Sequence, residues 1–328
     1  MRIFSHTFED PEPGDKATLL RYFNGYDYRA SGYTYITNYI WRRSYCLCWD
    51  IIEGYVCMAG GNCAGDGSDS VISMPLTDNG EYDIPRLRKA ILECKRRYDD
   101  MGIKFRIVAI PEKMKDLLEE AFGDEIEIFE NRDADEYVYL KDKLINLSGR
   151  ALHKKKNHMN YFLKNYEYEV KPITLDMRDE VLAFATEQKE LKEQDEEIDS
   201  LETEFDAIGQ ILKLVEEPNV YSAAIYINGK LEGFAIGETV SDSMAIEHFE
   251  KANDNFRGIY QVVCREFCKQ LPESVKYVNR EEDMGLENLR QAKEALKPEY
   301  MERLFYAHLG NNLLKNFHFG IDYYLTML

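Results

Sequence analysis

β-Branched and aromatic residues crowd Tyr45 to Ile52 and Tyr55 to Ala59 on either side of Glu53-Gly54, a pattern that predicts a β-hairpin. Val71 to Met74 predicts a further short strand. Leu87, Ile91 and Leu92 then recur at helical spacing behind Asp83 and Pro85, so a helix is expected to about Met101. Phe105 to Ile110 reads as a buried strand. Pro111 opens a helix over Glu112 to Phe122, Gly123 closes it, and short strands follow at Ile126 to Phe129 and Tyr137 to Leu140.

The same order returns further along. Val220 to Ile227 and Leu231 to Gly237 flank Asn228-Gly229, one of the strongest local hairpin signals. A strand is predicted over Met244 to Glu250, a helix over Gly258 to Gln270, a strand over Val275 to Val278, a helix over Leu286 to Ala295 and a last strand over Arg303 to His308. Two similarly ordered halves imply an α/β (α+β) duplication, each half a mixed sheet flanked by helices. We place the N-terminal lobe at residues 1–165, ending in a basic linker helix, and the C-terminal lobe at 166–328 with the candidate site.

Composition narrows the reading. With 45% hydrophobic and 31% charged residues the chain can build cores, and no stretch approaches the ~20 apolar residues of a membrane span. The first residues, rich in acids and prolines, do not resemble a signal peptide, and seven scattered cysteines suit a reducing compartment, so a cytoplasmic protein with reduced thiols is expected. A formal charge of −19 disfavours broad binding to nucleic acid or anionic lipid, so any such contact must be local.

One local exception stands out. Arg150, His153, Lys154, Lys155, Lys156 and His158 form a dense positive cluster that covers more than one helix face, while Leu152, Met159 and Phe162 face a core. It is either a solvated linker helix or a phosphate-binding one. Alternation along Met244 to Glu250 places His248 and Glu250 on one side and Glu247 and Phe249 on the other. Arg257 and Gly258 then sit where a helix start, continuing through Tyr260 and Gln261, presents free backbone N–H groups to an anion. Asn279 and Arg280 follow the next strand at its carboxyl end, where open α/β sheets bind ligands, so Glu250, Arg257, Asn279 and Arg280 can share one cleft. The competing reading makes these polar groups ordinary helix caps and ion pairs. The acidic run from Glu193 to Glu204 reads as a solvated face, GGNCAGDG lacks the ending of a nucleotide loop, and Cys264 with Cys268 has no partner pair at zinc spacing, so no metal is expected.

The segments LSGRALHKKKNH, HFEKANDNFRGIYQVVCREF and VNREEDMGLENLRQAKEALKP, in that order, resemble the phosphatidylglycerol lysyltransferase C-terminal domain family over roughly Gly25 to His308. The resemblance implies a tandem of two GNAT-type acyltransferase folds. It further implies an aminoacyl- or acyltransferase, with aminoacyl-tRNA as donor and a lipid headgroup or other small molecule as acceptor. In that reading Glu250 is the general base, Arg257 and the N–H groups after Gly258 hold the oxyanion, Asn279 and Arg280 complete the catalytic group, and the helix of Arg150 and Lys154 to Lys156 holds tRNA phosphates. The chain departs from membrane members in lacking their spanning half. It also departs from coenzyme A-dependent enzymes, because Phe256-Arg257-Gly258-Ile259-Tyr260 does not match their pyrophosphate loop, which sets coenzyme A behind aminoacyl-tRNA as donor. The alternatives are a non-catalytic binding or regulatory protein of the same fold and a coenzyme A-dependent N-acetyltransferase.

Overall fold

The computed structural model describes residues 3–8, 13–24, 30–61, 69–192 and 198–310. Most of the glycine-rich loop, residues 193–197 of the acidic run and the tail from Asn311 lie outside them. The chain forms two compact units. One comprises Met1–Asp135, Met284–Leu286 and Glu302–Leu328, the other Glu136–Asp283 and Glu287–Met301. The division therefore falls at Asp135/Glu136, not after residue 165, and the chain returns to the first unit at its end.

The first unit holds strands β1 (His6–Thr7), β2 (Cys48–Ile52), β3 (Tyr55–Gly60), β4 (Val71–Ser73), β5 (Ile107–Pro111) and β6 (Ile126–Glu130), with helices α1 (Pro13–Phe23), α2 (Tyr35–Trp41), α3 (Ile84–Asp100) and α4 (Glu112–Phe122). The Asp83 side chain accepts from the Arg86 N–H and Pro85 occupies the first turn, which starts α3 where the sequence predicts it. Leu87, Ala90, Ile91, Cys94 and Tyr98 then fall on one face and are buried, with Leu87 and Ile91 each contributing about 1.5–3 kcal/mol. The predicted hairpin is β2–β3. Cys46 is disulfide-bonded, which overturns the expectation that every thiol is reduced, since spacing alone does not reveal pairing. Cys48, Cys57, Cys94, Cys264 and Cys268 are free and buried.

The second unit holds β7 (Glu136–Leu140), β8 (Glu169–Lys171), β9 (Val220–Ile227), β10 (Lys230–Thr239), β11 (Met244–Ala252), β12 (Tyr277–Asn279) and β13 (Tyr300–Glu302), with α5 (Lys141–Asn146), α6 (His153–Asn165), α7 (Arg178–Lys192), α8 (Ile198–Ile211), α9 (Ile259–Gln270) and α10 (Glu287–Glu294). Asn228 and Gly229, with φ of 51° and 77°, make the left-handed turn that β9–β10 requires. Helix α9 lies over β9, β10 and β11, burying Ile259, Val262, Val263 and Phe267, while α6 packs on α9 through Met159 and Phe162. The basic segment is thus an integral helix of the second unit, not a linker.

Strand order is β1-β2-β3-β4-β5-β14-β6 in one sheet and β13-β7-β12-β11-β10-β9-β8 in the other, where β14 (Leu304–Leu309) is the last described strand. Each sheet has a parallel pair, β4–β5 and β11–β12, at the same place in its order. Each also has beside that pair a strand distant from it in sequence: β14 joins β5 and β6, and β7 joins β12. The duplication is real, but β7, predicted to complete the first half, completes the second sheet.

Candidate active site

β11 and β12 pair only over Met244↔Tyr277, Ala245↔Val278 and Ile246↔Asn279, and beyond these positions they part. A bulge sits at the same level. Ile236 of β10 faces Phe249 while Gly237 faces Glu247, which leaves His248 as the extra residue. The bulge resets the alternation. Glu247 and Glu250, expected on opposite faces, come together, and His248 does not share the face of Glu250. Gly237 makes the kink possible, because a Cβ there would lie 2.0 Å from the Ile246 carbonyl oxygen.

Arg280, the first residue after β12, fills the space where the strands part. Its Nη2 pairs with Glu250 Oε2, and its Nε lies 2.7 Å from Glu247 Oε2 without hydrogen-bond geometry. The side chains are 15%, 11% and 1% exposed for Arg280, Glu250 and Glu247, so the three charges face one another with little water between them. Burial pushes the Glu250 carboxyl well above the usual carboxylate range and Glu247 adds to the push, against the pull of Arg280. Half-buried Lys155 of α6 stands within electrostatic reach of both Glu250 and Arg280; burial, then Arg280 and Lys154, holds its ammonium pKa below the ordinary lysine value. One donor atom each of Glu247, Glu250 and Cys264 lies within 4.8 Å of the others, a spacing a metal can use. The Arg280 guanidinium already bridges those two carboxylates, and hydrogen bonding to Cys268 together with burial raises the Cys264 thiol pKa well above its ordinary value.

The remaining predicted residues are distributed around this centre. Arg257 does not join Glu250; its guanidinium lies 4.8 Å over the ring of Tyr161 on α6, near His158. Gly258 has a packing reason rather than an anion-binding one: at φ 93° a Cβ would lie 2.1 Å from the His158 carbonyl oxygen, and the Ile259 N–H is taken by the Phe256 carbonyl. The turn thus withholds the Ile259 N–H from any anion. Tyr260 and Gln261 are half-buried in the first turn of α9. Arg150, Lys154, Lys155, Lys156 and Arg257 form no ion pair among the described residues. By contrast Arg88, Arg96, Arg97, Arg265, Arg290 and Arg303 all do.

Asn279 is fully buried and carries structure rather than chemistry: its amide donates to Glu136 and its oxygen accepts from the Glu281 N–H. The loop it opens is fixed by three further contacts. Glu281 lies 2.8 Å from His248 Nδ1, whose other nitrogen is 3.3 Å from Glu238; burial opposes the imidazolium, but the two acids raise its pKa to about 9. Asp283 receives a bidentate pair from Arg290 and a hydrogen bond from the Tyr137 hydroxyl. Lys293 donates to the carbonyls of Arg280 and Glu282. Strand alternation names Glu247 and His248 but gives them no role, and no local pattern marks Tyr161. A glycine inside a predicted strand, Gly237, was the available signal for the bulge.

This arrangement has counterparts in known proteins. The chain is 26% identical to a conserved protein of unknown function from Bacteroides thetaiotaomicron, covering 93% of this chain and 100% of that one at a TM-score of 0.81. The structure of L-PGS from Bacillus licheniformis matches at a TM-score of 0.62 and 13% identity, covering 99% and 98% of the two chains. A tandem GNAT protein from the clavulanic acid biosynthesis pathway matches at 0.51 and 10%, covering 93% and 97%. These likenesses show a tandem GNAT-like fold. An uncharacterised protein of Mycoplasmoides gallisepticum is 25% identical over 167 residues, or 50% of this chain, and the chain spans about half the length, 53%, of that curated relative. Among the described residues no helix is long and apolar enough to cross a membrane. The profile of the phosphatidylglycerol lysyltransferase C-terminal region matches residues 24–308, the span and order of the three motifs, and the chain belongs to that family.

Proposed function

We propose that the second unit transfers an aminoacyl group from an aminoacyl-tRNA to an amine or hydroxyl of a lipid headgroup or other small acceptor in the cytoplasm. One juxtaposition carries this reading: Glu250 and Arg280 pair where β11 and β12 part, within electrostatic reach of Lys155 and near cations of α6 that form no ion pair among the described residues. Chemistry and donor binding then lie on adjacent elements. Arg280 orients the Glu250 carboxylate, and a base with a raised pKa is better matched to work near neutrality than an ordinary glutamate. Glu250 takes the proton from the attacking group as its N–C or O–C bond forms at the ester carbonyl. Lys155 faces the developing oxyanion, and Glu250 returns the proton to the ribose oxygen as the ester C–O bond breaks. In this reading Arg150, Lys154 and Lys156 hold phosphates of the donor.

The test is the rate at which labelled amino acids leave total charged tRNA on adding the purified protein, with and without phosphatidylglycerol vesicles or small-molecule extract. Acceptor-dependent loss is expected, and Glu250→Gln should slow it by roughly 10²-fold or more, the scale of a lost general base. Equal rates in both proteins sink the assignment of Glu250. No transfer with any acceptor favours a binding protein of the same fold.

A further inference from the structure

Tyr161 is 40% exposed, unusual for a tyrosine flanked by buried Phe162, and its ring carries the guanidinium of Arg257 at 4.8 Å. The stack is braced from below. Tyr166 meets Tyr161 edge-on at 6.3 Å and packs against Phe162 at 5.0 Å and Phe256 at 5.2 Å. Gly258, seated on the His158 backbone, locks Arg257 next to α6. Along α6, Lys154, His158 and Tyr161 fall at i, i+4 and i+7, one face of the helix with a rise of about 10 Å. Arg257 is exposed and forms no ion pair among the described residues, so its guanidinium is accessible beside the ring. A cation held on an exposed aromatic ring, with Lys154 on the same helix face and Lys155 on the same helix within electrostatic reach of Glu250, has the make-up of a single-strand nucleic-acid site.

We infer that the Tyr161–Arg257 pair is the platform on which an unpaired base at the 3′ end of the tRNA donor stacks, with Lys154, on the same face of α6, holding the adjoining phosphate. This rests on the proposed donor. It adds that recognition is by base stacking, which every base can satisfy, so the platform selects an unpaired end and not a sequence.

The experiment measures binding by fluorescence anisotropy of intact tRNA, and of tRNA trimmed of its unpaired 3′ nucleotides, to the wild type, Tyr161→Ala, Tyr161→Trp and Arg257→Ala. Circular dichroism of each variant establishes folding. Trimming should weaken the wild type roughly tenfold and leave Tyr161→Ala unchanged, since both remove the same stack. Tyr161→Trp should restore the dependence on the 3′ end. Losses from trimming and from Tyr161→Ala that multiply overturn the platform, as does unaltered binding by Tyr161→Ala, and in both cases the tRNA donor stands. Failure of the wild type to bind tRNA overturns the donor and the platform together. Binding of phosphatidylglycerol vesicles, but not RNA, with the same dependence on Tyr161 makes the surface a membrane contact and overturns the inference.

Discussion

Replacing Arg280 with Met keeps most of the apolar stem and removes the cation that two buried carboxylates share. Glu247 and Glu250 are 1% and 11% exposed at the side chain, so water does not replace the lost partner. Removing one member of a buried pair typically destabilises by about 3–5 kcal/mol, which for a domain of this size lowers the melting temperature by roughly 6–20 °C. The loss has a defined pH dependence. Burial and Glu247 already raise the folded Glu250 carboxyl, and without Arg280 nothing pulls it back. Between the unfolded glutamate value of about 4.3 and the raised folded value, the folded state holds more protons, so stability falls as pH rises. The deficit of Arg280→Met should therefore be small near pH ~4.5 and grow as pH rises toward ~8. Thermal unfolding followed by near-ultraviolet circular dichroism at both values measures it, and Glu250→Gln added to Arg280→Met should recover a large part of the loss. A variant that melts with the wild type at the higher pH, or whose deficit grows toward acid, refutes the shared-charge picture.

The His248 imidazolium between Glu238 and Glu281 has its pKa raised to about 9, so its contribution is fully present below about 6.5 and lost as pH rises through about 9. Urea midpoints across that window should fall by the equivalent of about 3 kcal/mol more in the wild type than in His248→Gln. Gly237→Ala places a Cβ 2.0 Å from the Ile246 carbonyl oxygen; a loss of about 2–4 kcal/mol in chemical unfolding is expected, and a neutral effect contradicts the bulge. Lys154→Ala should reduce the slope of log binding constant against log salt for tRNA by about one, read from anisotropy at several salt concentrations, while leaving stability unchanged.

The elements were legible where local chemistry decides them. Asp83 and Pro85 start α3 and Asn228-Gly229 turns β9 into β10, and neither needs a distant partner. The meeting of Glu250 and Arg280 was legible too, because a strand–helix–strand crossover sets the carboxyl ends of β11 and β12 side by side. Glu247 was hidden by a single extra residue, which reverses the face of every position beyond it. Asn279 looked catalytic because a polar residue ends a strand, yet its partner Glu136 lies 143 residues away in sequence. Arg257 looked like an oxyanion donor for the same local reason and instead stacks on Tyr161, a contact between α6 and the α9 start that no spacing announces. The destination of β7 was likewise invisible: five largely apolar residues suit either sheet.

The placement of β14 has a consequence for synthesis. Its Phe305 pairs with Ile110, and its other side pairs with β6, so the slot between β5 and β6 is filled by a strand translated about 195 residues after Ile110. At about 5–20 residues per second that is an interval of roughly 10–40 s during which the nascent first sheet has two unsatisfied edges. The open slot is a template for any extended segment, including the β14 of a neighbouring chain. Domain-swapped dimers formed at high expression, and their suppression when Leu304–Leu309 is supplied as a peptide, are the failure and the remedy that this order of emergence sets up.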